Sequence, residues 1–520
     1  MSDGPPRSLQ LGLVSGAGGY LTAETFGFKV TASGSSLKKK QTWTLETLTG
    51  TGTGTGDAPD CGTVSLRSHL GRLLGADRDG AVSCDAETPG AATAWGLQAR
   101  PDGRWALRHA RPDGRWALRH VERGRYLGGS ADRVMCFAQT VGNTELWSVH
   151  LATHPQLNLY NPGRKRYAQL SGDSVSVSCD VPWGVGSLLS LTFGEDRRYE
   201  LRASDGRSLR ADGALGPPRG GAASSFSLEL HAGSVAFKDT EGRYLCPSGP
   251  SGILKSVRAA SSSASSRPAK DELFVLEESR AQVTLRGNSS GRAVSARQGL
   301  DISANQEEEG ETETFQMEAV PGGWSLRCFG GSYWAVSAAS GGLQASASSQ
   351  SSAAVFEVVW RGRAVALQLR GGKFVTAKKN GQLQATADTA AEAEEFALRV
   401  VNRPLLTLRG PHGFVAVRRG SGALDANRAT HESFTLSTGS LGGTYHLHAE
   451  DGRAWVVSAD GSVSVSDAAD PPPSSFCLEL HPRNHVAIRV GSSGCYVRGD
   501  HASSLRADSQ TVDSDSLWEF

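Results

Sequence analysis

Read for its alternation of large apolar and polar positions, the chain repeats one short phrase twelve times: a large apolar residue, any residue, then usually an aliphatic one. The phrase is WTL at Trp43, WGL at Trp95, WSV at Trp147, LSL at Leu189, FSL at Phe226 and FVL at Phe274. It continues as FQM at Phe315, FEV at Phe356, FAL at Phe396, FTL at Phe434, FCL at Phe476 and WEF at Trp518. A period of two turns one set of side chains inward and the other to water, which predicts half-buried strands. A second phrase is interleaved with the first: a glycine-containing turn followed by an aromatic or aliphatic residue. It falls at Tyr20, Leu73, Tyr126, Tyr167, Ser208, Tyr244, Ala293, Tyr333, Phe374, Phe414, Ala454 and Tyr496, with Ser208, Ala293 and Ala454 as weak copies. This predicts a turn leading into another strand.

Successive copies lie about 40 residues apart, so each unit holds about four short strands and none buries a core alone. Helical stripes are nearly absent. Two spacings are long, Trp43 to Trp95 and Trp95 to Trp147. The first contains TLTGTGTGTGDAP, residues 47–59, whose Gly/Thr alternation without bulky residues cannot build a packed strand. The second contains ARPDGRWALRHARPDGRWALRH, residues 99–120, in which one eleven-residue stretch is written twice. Removing one copy restores the ordinary spacing, so this is a local duplication inside the third unit. Of its two tryptophans, Trp105 and Trp116, only one can fill the native core position.

At 520 residues the chain exceeds a single core. Its 63 glycines lie well above the usual share of roughly 7%, as many tight turns require. Twelve such units could form a propeller, but propellers usually have about four to eight blades and no Gly-His…Trp-Asp signature is present. Three units instead close into a pseudo-threefold barrel with a hairpin cap, which removes open sheet edges. The expected fold is therefore all-β, four tandem β-trefoil domains at 7–149, 150–279, 280–400 and 401–520. A net charge of +1 excludes a globally basic nucleic-acid or membrane binder, leaving local patches to meet acidic partners. Eight scattered cysteines without a Cys-x-x-Cys pair read as reduced, mostly buried thiols of a cytosolic protein. No apolar leader or membrane-spanning run is found.

Several stretches resemble the fascins, the actin-bundling proteins built from four β-trefoils. They are YLTAETFGFKVTASGSSLKKKQTWTLE (20–46), RSHLGRLLGAD (67–77), VPWGVGSL (181–188), DISANQEEE (301–309), GKFVTAKKNGQL (372–383) and the terminal SLWEF. The resemblance runs in order along essentially the whole chain, apart from the Gly/Thr loop and the duplicated segment. It implies a monomeric, non-enzymatic crosslinker of F-actin with at least two filament-contacting surfaces, working without cofactors in the cytoplasm and in actin-rich cell projections.

The resemblance also implies site residues. Lys38, Lys39 and Lys40, with Trp43 behind them, resemble a phosphorylation-controlled actin site whose target for protein kinase C is Ser36. If that segment is extended, Lys38 and Lys40 project to one side while Trp43 and Leu45 face the core. Actin is acidic, so a fixed lysine cluster attracts it and salt weakens the attraction. Arg409, His412, Arg418 and Arg419 resemble a second contact segment, joined by Lys378 and Lys379. Arg489, Arg498 and Arg506 retain charge where relatives carry lysine, and Ser295 resembles a second phosphorylation site. The sequence departs from the family at Gly19, where a lysine is usual, and at Pro411, where an acid is common.

No strong catalytic motif is present: no Gly-x-Ser-x-Gly elbow, P-loop or HExxH. The acidic run EEEGETE (307–313) reads as a solvated loop, and His446 and His448 lack a third ligand for a metal. Two alternatives stand beside the crosslinker: an actin-binding relative that has lost bundling, and a trefoil glycan-binding module. Lectin-type trefoils resemble one another in a repeated Gln-x-Trp phrase, of which Gln41-Thr42-Trp43 is the single clear instance.

Overall fold

The twelve large residues of the first phrase form the inner layer of the protein. In the computed structural model Trp43, Trp95, Trp147, Leu189, Phe226, Phe274, Phe315, Phe356, Phe396, Phe434 and Phe476 are each 0% exposed and Trp518 is 1%. The residues described are 9–47, 63–97, 117–130, 132–231, 233–257, 268–297, 299–439, 441–467 and 472–520. Among them the regular structure is short antiparallel strands and one-turn 3-10 helices. Most of the second-phrase residues open a strand, as in Tyr20–Ala23, Leu73–Ala76, Tyr126–Ser130 and Tyr496–Gly499. The weak copy at Ser208 opens a strand of only two residues, Ser208–Leu209.

The two phrases meet through one recurrent hydrogen bond. The indole N–H of Trp43 donates to the Leu21 carbonyl at 2.9 Å, Trp95 to Leu74 at 2.9 Å, Trp147 to Leu127 at 3.0 Å and Trp518 to Val497 at 3.1 Å. Each acceptor directly follows a second-phrase residue, so the barrel strand locks the hairpin that caps it. At four of the barrel phenylalanines a tryptophan on the cap strand fills the volume instead. Trp334 stands edge-on to Phe315 and Phe356, and Trp455 to Phe434 and Phe476. Replacing Trp147 by Phe is expected to cost about 2 kcal/mol, because it leaves a void and orphans the Leu127 carbonyl. Denaturant titration of the purified variant checks this.

Four sheets follow one another, spanning Leu9–Leu151, Gln156–Glu278, Gln282–Val400 and Leu405–Glu519. In the third, six strands pair in a ring: Gln282–Gly287, Thr314–Val320, Gly323–Cys328, Phe356–Arg361, Ala364–Leu369 and Glu395–Val400, the last returning to the first. Its three remaining hairpins touch pairwise through bridges Asp301–Gln344, Ser303–Gln382 and Gly342–Gln384. A six-strand barrel closed by three mutually bridged hairpins is a β-trefoil, and the same pattern recurs along the chain. The chain is four β-trefoils in tandem.

The trefoils merge into two lobes. One continuous core joins the first and second, another the third and fourth. Equivalent tyrosines stitch each lobe: Tyr199 OH accepts from the Leu151 N–H at 2.9 Å, and Tyr445 OH accepts from the Val400 N–H at 2.7 Å. The three connecting segments converge centrally. Gln156 reaches the Leu405 carbonyl at 2.6 Å and accepts from the Thr407 N–H at 3.1 Å, while Asn402 reaches the Arg280 carbonyl at 2.8 Å. Arg403, fully buried, donates to Ser279 and lies 5.3 Å from the Phe520 ring.

Trp105 and Trp116 lie outside the described residues, as does most of the Gly/Thr loop. The end of the second duplicated copy supplies strand Leu118–His120, which pairs with Trp95–Leu97. The acidic run is solvated at Glu307, Glu308 and Glu311, as expected, but not at Glu309 and Glu313. Glu313 is 2% exposed and accepts from Ser295, and Glu309 pairs with Arg286 and Arg399. Those two carboxylates are drawn inward because each meets a cation or hydroxyl from another strand. Seven described cysteines are free, and Cys84, Cys136, Cys328 and Cys477 are buried.

Candidate functional site

The three lysines sit on a turn with little freedom. Trp43 anchors it in the core, and Gln41, 8% exposed, holds the Thr22 hydroxyl at 3.1 Å. Lys39–Gln41 forms a 3-10 turn preceded by Lys38, whose carbonyl accepts from the Gln41 N–H and from the Thr42 hydroxyl. The segment is therefore not extended. Closing these hydrogen bonds coils it, so Lys38, Lys39 and Lys40 fan outward and all are exposed. Leu45 is half-buried against the core. Lys40 pairs with Glu24 at 3.1 Å, whereas Lys38 and Lys39 have no carboxylate within ion-pair reach among the described residues. Ser36 is half-buried in the turn just before them.

This turn forms one wall of a cleft of about 810 Å³ between the first, second and fourth trefoils. Opposite it stand Arg409, Pro411, His412 and Phe414, and the floor includes His150, His154, Phe193 and His431. The fold thus brings together two basic segments more than 350 residues apart in sequence. His412 is exposed on the rim. Arg409 is not free charge: it pairs with Glu519 at 2.7 Å and donates to the Ala152 carbonyl at 2.7 Å, tying the fourth trefoil to the first connecting segment.

The three floor histidines are held neutral. His154 Nε2–H donates to the Thr407 carbonyl at 3.1 Å, and its Nδ1 accepts from the Gln156 N–H at 3.3 Å. Burial, helped by Arg409 and Arg403, pushes His154 well below the ordinary imidazole range. His150 stacks on Phe193 at 4.2 Å and lies 2.9 Å from the Tyr20 hydroxyl. Burial pushes it down to about 3, with His431 adding to the effect. His431, 3.2 Å from the Thr192 hydroxyl, is pushed down to about 4 by burial and then by Arg202.

The remaining candidates are dispersed. Lys378 and Lys379 are exposed on a cap hairpin of the third trefoil and do not line the cleft. Arg418 pairs with Asp425 and reaches Ser504, beside the cleft residue Ser503, and its neighbour Arg419 is exposed. Arg498 and Arg506 share Asp508. Arg489 is drawn inward. It donates to Glu479 at 2.6 Å and to the Gly362 carbonyl, joining the fourth trefoil to the third, while Tyr496 takes the other Glu479 oxygen. Glu229 with Lys238 and Tyr244 repeats that arrangement in the second trefoil. The shared phrases FSLEL (226–230) and FCLEL (476–480) carry the signal for a buried glutamate that needs a cation. Ser295 is 2% exposed and donates to Glu313 at 2.7 Å. His446 and His448 are held by the Ser474 carbonyl and the Ser437 hydroxyl. At Gly19 a Cβ would meet the Ala32 carbonyl at 1.8 Å, so no side chain fits that backbone position without a shift.

Comparison with known proteins bears on this arrangement. The Fascin domain family matches residues 17–149, 157–276, 289–398 and 411–520. The chain is 43% identical to fascin-2 of Mus musculus and 44% identical to fascin-2 of Homo sapiens, in each case over 98% of both chains. It is 31% identical to a fascin of Strongylocentrotus purpuratus, again over 98% of both.

Proposed function

Because the chain belongs to the fascin family, we propose that it binds F-actin at the interdomain cleft and crosslinks filaments into tight parallel bundles, as a monomer and without a catalytic cycle. The observation that carries this reading is the convergence of Lys38–Lys40 and His412 on one cleft, two of those lysines having no carboxylate partner among the described residues. A preorganised positive rim raises the encounter rate with an acidic filament and fixes orientation. Crosslinking needs a second surface, and Lys378 and Lys379 on the third trefoil's cap supply the candidate. The merged cores within each lobe, and the hydrogen-bonded connecting segments between lobes, suit a stiff spacer. Arg409, Arg489 and Arg498 contribute by holding structure, since their charge is met internally. Sedimentation with purified F-actin tests the proposal. Crosslinking brings filaments down at low speed, whereas binding alone brings the protein down only at high speed.

Protein kinase C acting at Ser36 is the proposed control, in a protein of the cytoplasm and its actin-rich projections. A phosphate there adds about −1.5 to −2 charges beside the lysine turn and cancels most of its field. Ser36→Asp is expected to reduce low-speed pelleting several-fold with an unchanged melting temperature. Equal pelleting of variant and native protein would refute this control. At Ser295 a phosphate would face Glu313 in a buried position, so modification there requires local opening of the third trefoil.

A further inference from the structure

We propose that the Asn380-Gly381 pair, at the tip of a cap hairpin of the third trefoil, is a site of spontaneous amide-to-acid conversion that discharges the neighbouring lysines as the protein ages. The chemistry stands on its own; its effect on filaments rests on the actin reading above. The chain has a single Asn-Gly pair, and it falls here. Lys378, Lys379 and Asn380 are all exposed.

The turn brings the reacting groups together. The Lys378 N–H donates to the Gln382 carbonyl at 2.9 Å and the Gly381 N–H to the Lys378 carbonyl at 2.7 Å, closing a tight hairpin with Gly381 at φ +87°. The Gln382 N–H donates to Asn380 Oδ1 at 3.1 Å, which folds the side-chain amide back over the peptide that follows it. Gly381 has no Cβ to shield its nitrogen from that amide. When the exposed tip opens and the Gly381 N–H loses its proton to solvent base, the nitrogen attacks Asn380 Cγ. A new Cγ–N bond forms, the Cγ–Nδ2 bond breaks, and ammonia leaves after taking a proton from water. The cyclic imide then takes up one water. Cleavage of the new Cγ–N bond gives aspartate; cleavage of the original backbone C–N bond gives isoaspartate. Because the Lys378 hydrogen bond must open first, the reaction is slower than in a free peptide.

Turns of the same kind in the other trefoils already carry the product. Asp79, Asp212 and Asp460 precede Gly80, Gly213 and Gly461. The Gly213 N–H donates to the Arg210 carbonyl and the Gly461 N–H to the Ser458 carbonyl, both at 2.9 Å, as Gly381 does to Lys378. Asp212 and Asp460 accept from the Ala214 and Ser462 N–H groups at 3.0 Å, as Asn380 does from Gln382. Aspartate at position 380 therefore keeps the turn. It adds one negative charge beside Lys379 and beside Lys378, whose ammonium donates to the Thr386 hydroxyl at 3.0 Å. Isoaspartate does more. Its extra backbone methylene displaces the Gly381 carbonyl, which holds the Ala304 N–H of the neighbouring hairpin at 2.7 Å.

The test ages purified full-length protein at body temperature and mildly alkaline pH, then maps its peptides and measures low-speed pelleting with F-actin. Asn380 is expected to convert several-fold faster than Asn288, which is also exposed but precedes Ser289. Bundling should fall in step with conversion. Asn380→Asp made directly should lower it about threefold, the scale of one exposed charge pair, with an unchanged melting temperature. Asn380→Gln, whose longer side chain closes the ring poorly, should hold its starting level through the same ageing. Conversion no faster than at Asn288 overturns the site. Conversion without loss of bundling overturns its effect on filaments and leaves the actin reading standing. If fresh protein fails to bundle, the actin reading fails and the effect on filaments falls with it, while peptide mapping still decides the chemistry.

Discussion

Protein carrying Lys38→Glu and Lys39→Glu together is expected to lose low-speed bundling and to bind single filaments on the order of 100-fold more weakly. Among the described residues these two lysines have no partner carboxylate, so reversal changes the field at the cleft without breaking an ion pair there. Each reversal replaces attraction to an acidic surface by repulsion, and like charges brought together at an interface cost up to several kcal/mol. A loss of about 2.7 kcal/mol corresponds to about 100-fold. Both residues are exposed on a turn whose fixed points are Trp43 and Gln41, so the melting temperature should hold. The same exchange at Arg489 should do the opposite. It would leave Glu479 without its cation and destabilise the fold, with filament binding lost only in step with folding. Parallel sedimentation and thermal unfolding of the two variants separate the roles. Undiminished bundling by the double lysine variant would remove the cleft from the binding surface.

Acidification is expected to loosen the junction between the lobes. His150, His154 and His431 all have folded-state values below the ordinary imidazole range. The unfolded chain therefore takes up protons first as pH falls. Stability from these groups is complete above about pH 6.5 and declines below it, toward the depressed values near about 4 and 3. Among the described residues the charges facing His154 are Arg409, Arg403 and His431, with no carboxylate to compensate. Geometry points the same way, because a proton on His154 Nδ1 displaces the Gln156 N–H, and the Gln156 side chain ties the first connecting segment to Leu405 and Thr407. Each histidine contributes on the order of 1 kcal/mol between about pH 7 and about pH 5. Calorimetry across that range should show a falling melting temperature. His154→Gln should flatten it; an unchanged slope in that variant would refute the role of His154.

The repeat was readable because strand alternation is local: a large residue, a spacer and an aliphatic one define which face is buried wherever they occur. Trp43, Phe315 and Phe476 could therefore be placed in the core before any contact was known. Coarse charge was also readable in the LKKK stretch, but its conformation was not. The 3-10 turn forms because Gln41 and Thr42 bond back to Lys38, and Gln41 is itself held by Thr22 across the sheet. Arg409 and Arg489 looked like surface charge because their partners, Glu519 and Glu479, with the Ala152 and Gly362 carbonyls, are supplied by other strands or domains.

Side-chain period alone was enough to establish twelve strand-rich units and the residues that fill each barrel, since burial on one face of a strand depends on neighbours two residues away; their grouping by threes needed the further argument that sheet edges must close. The cleft, the neutral histidines beneath it and the division of arginines into struts and free charge came from the packing of one trefoil on another. Those properties depend on which distant groups enter a common low-dielectric space, and no run of consecutive residues records that.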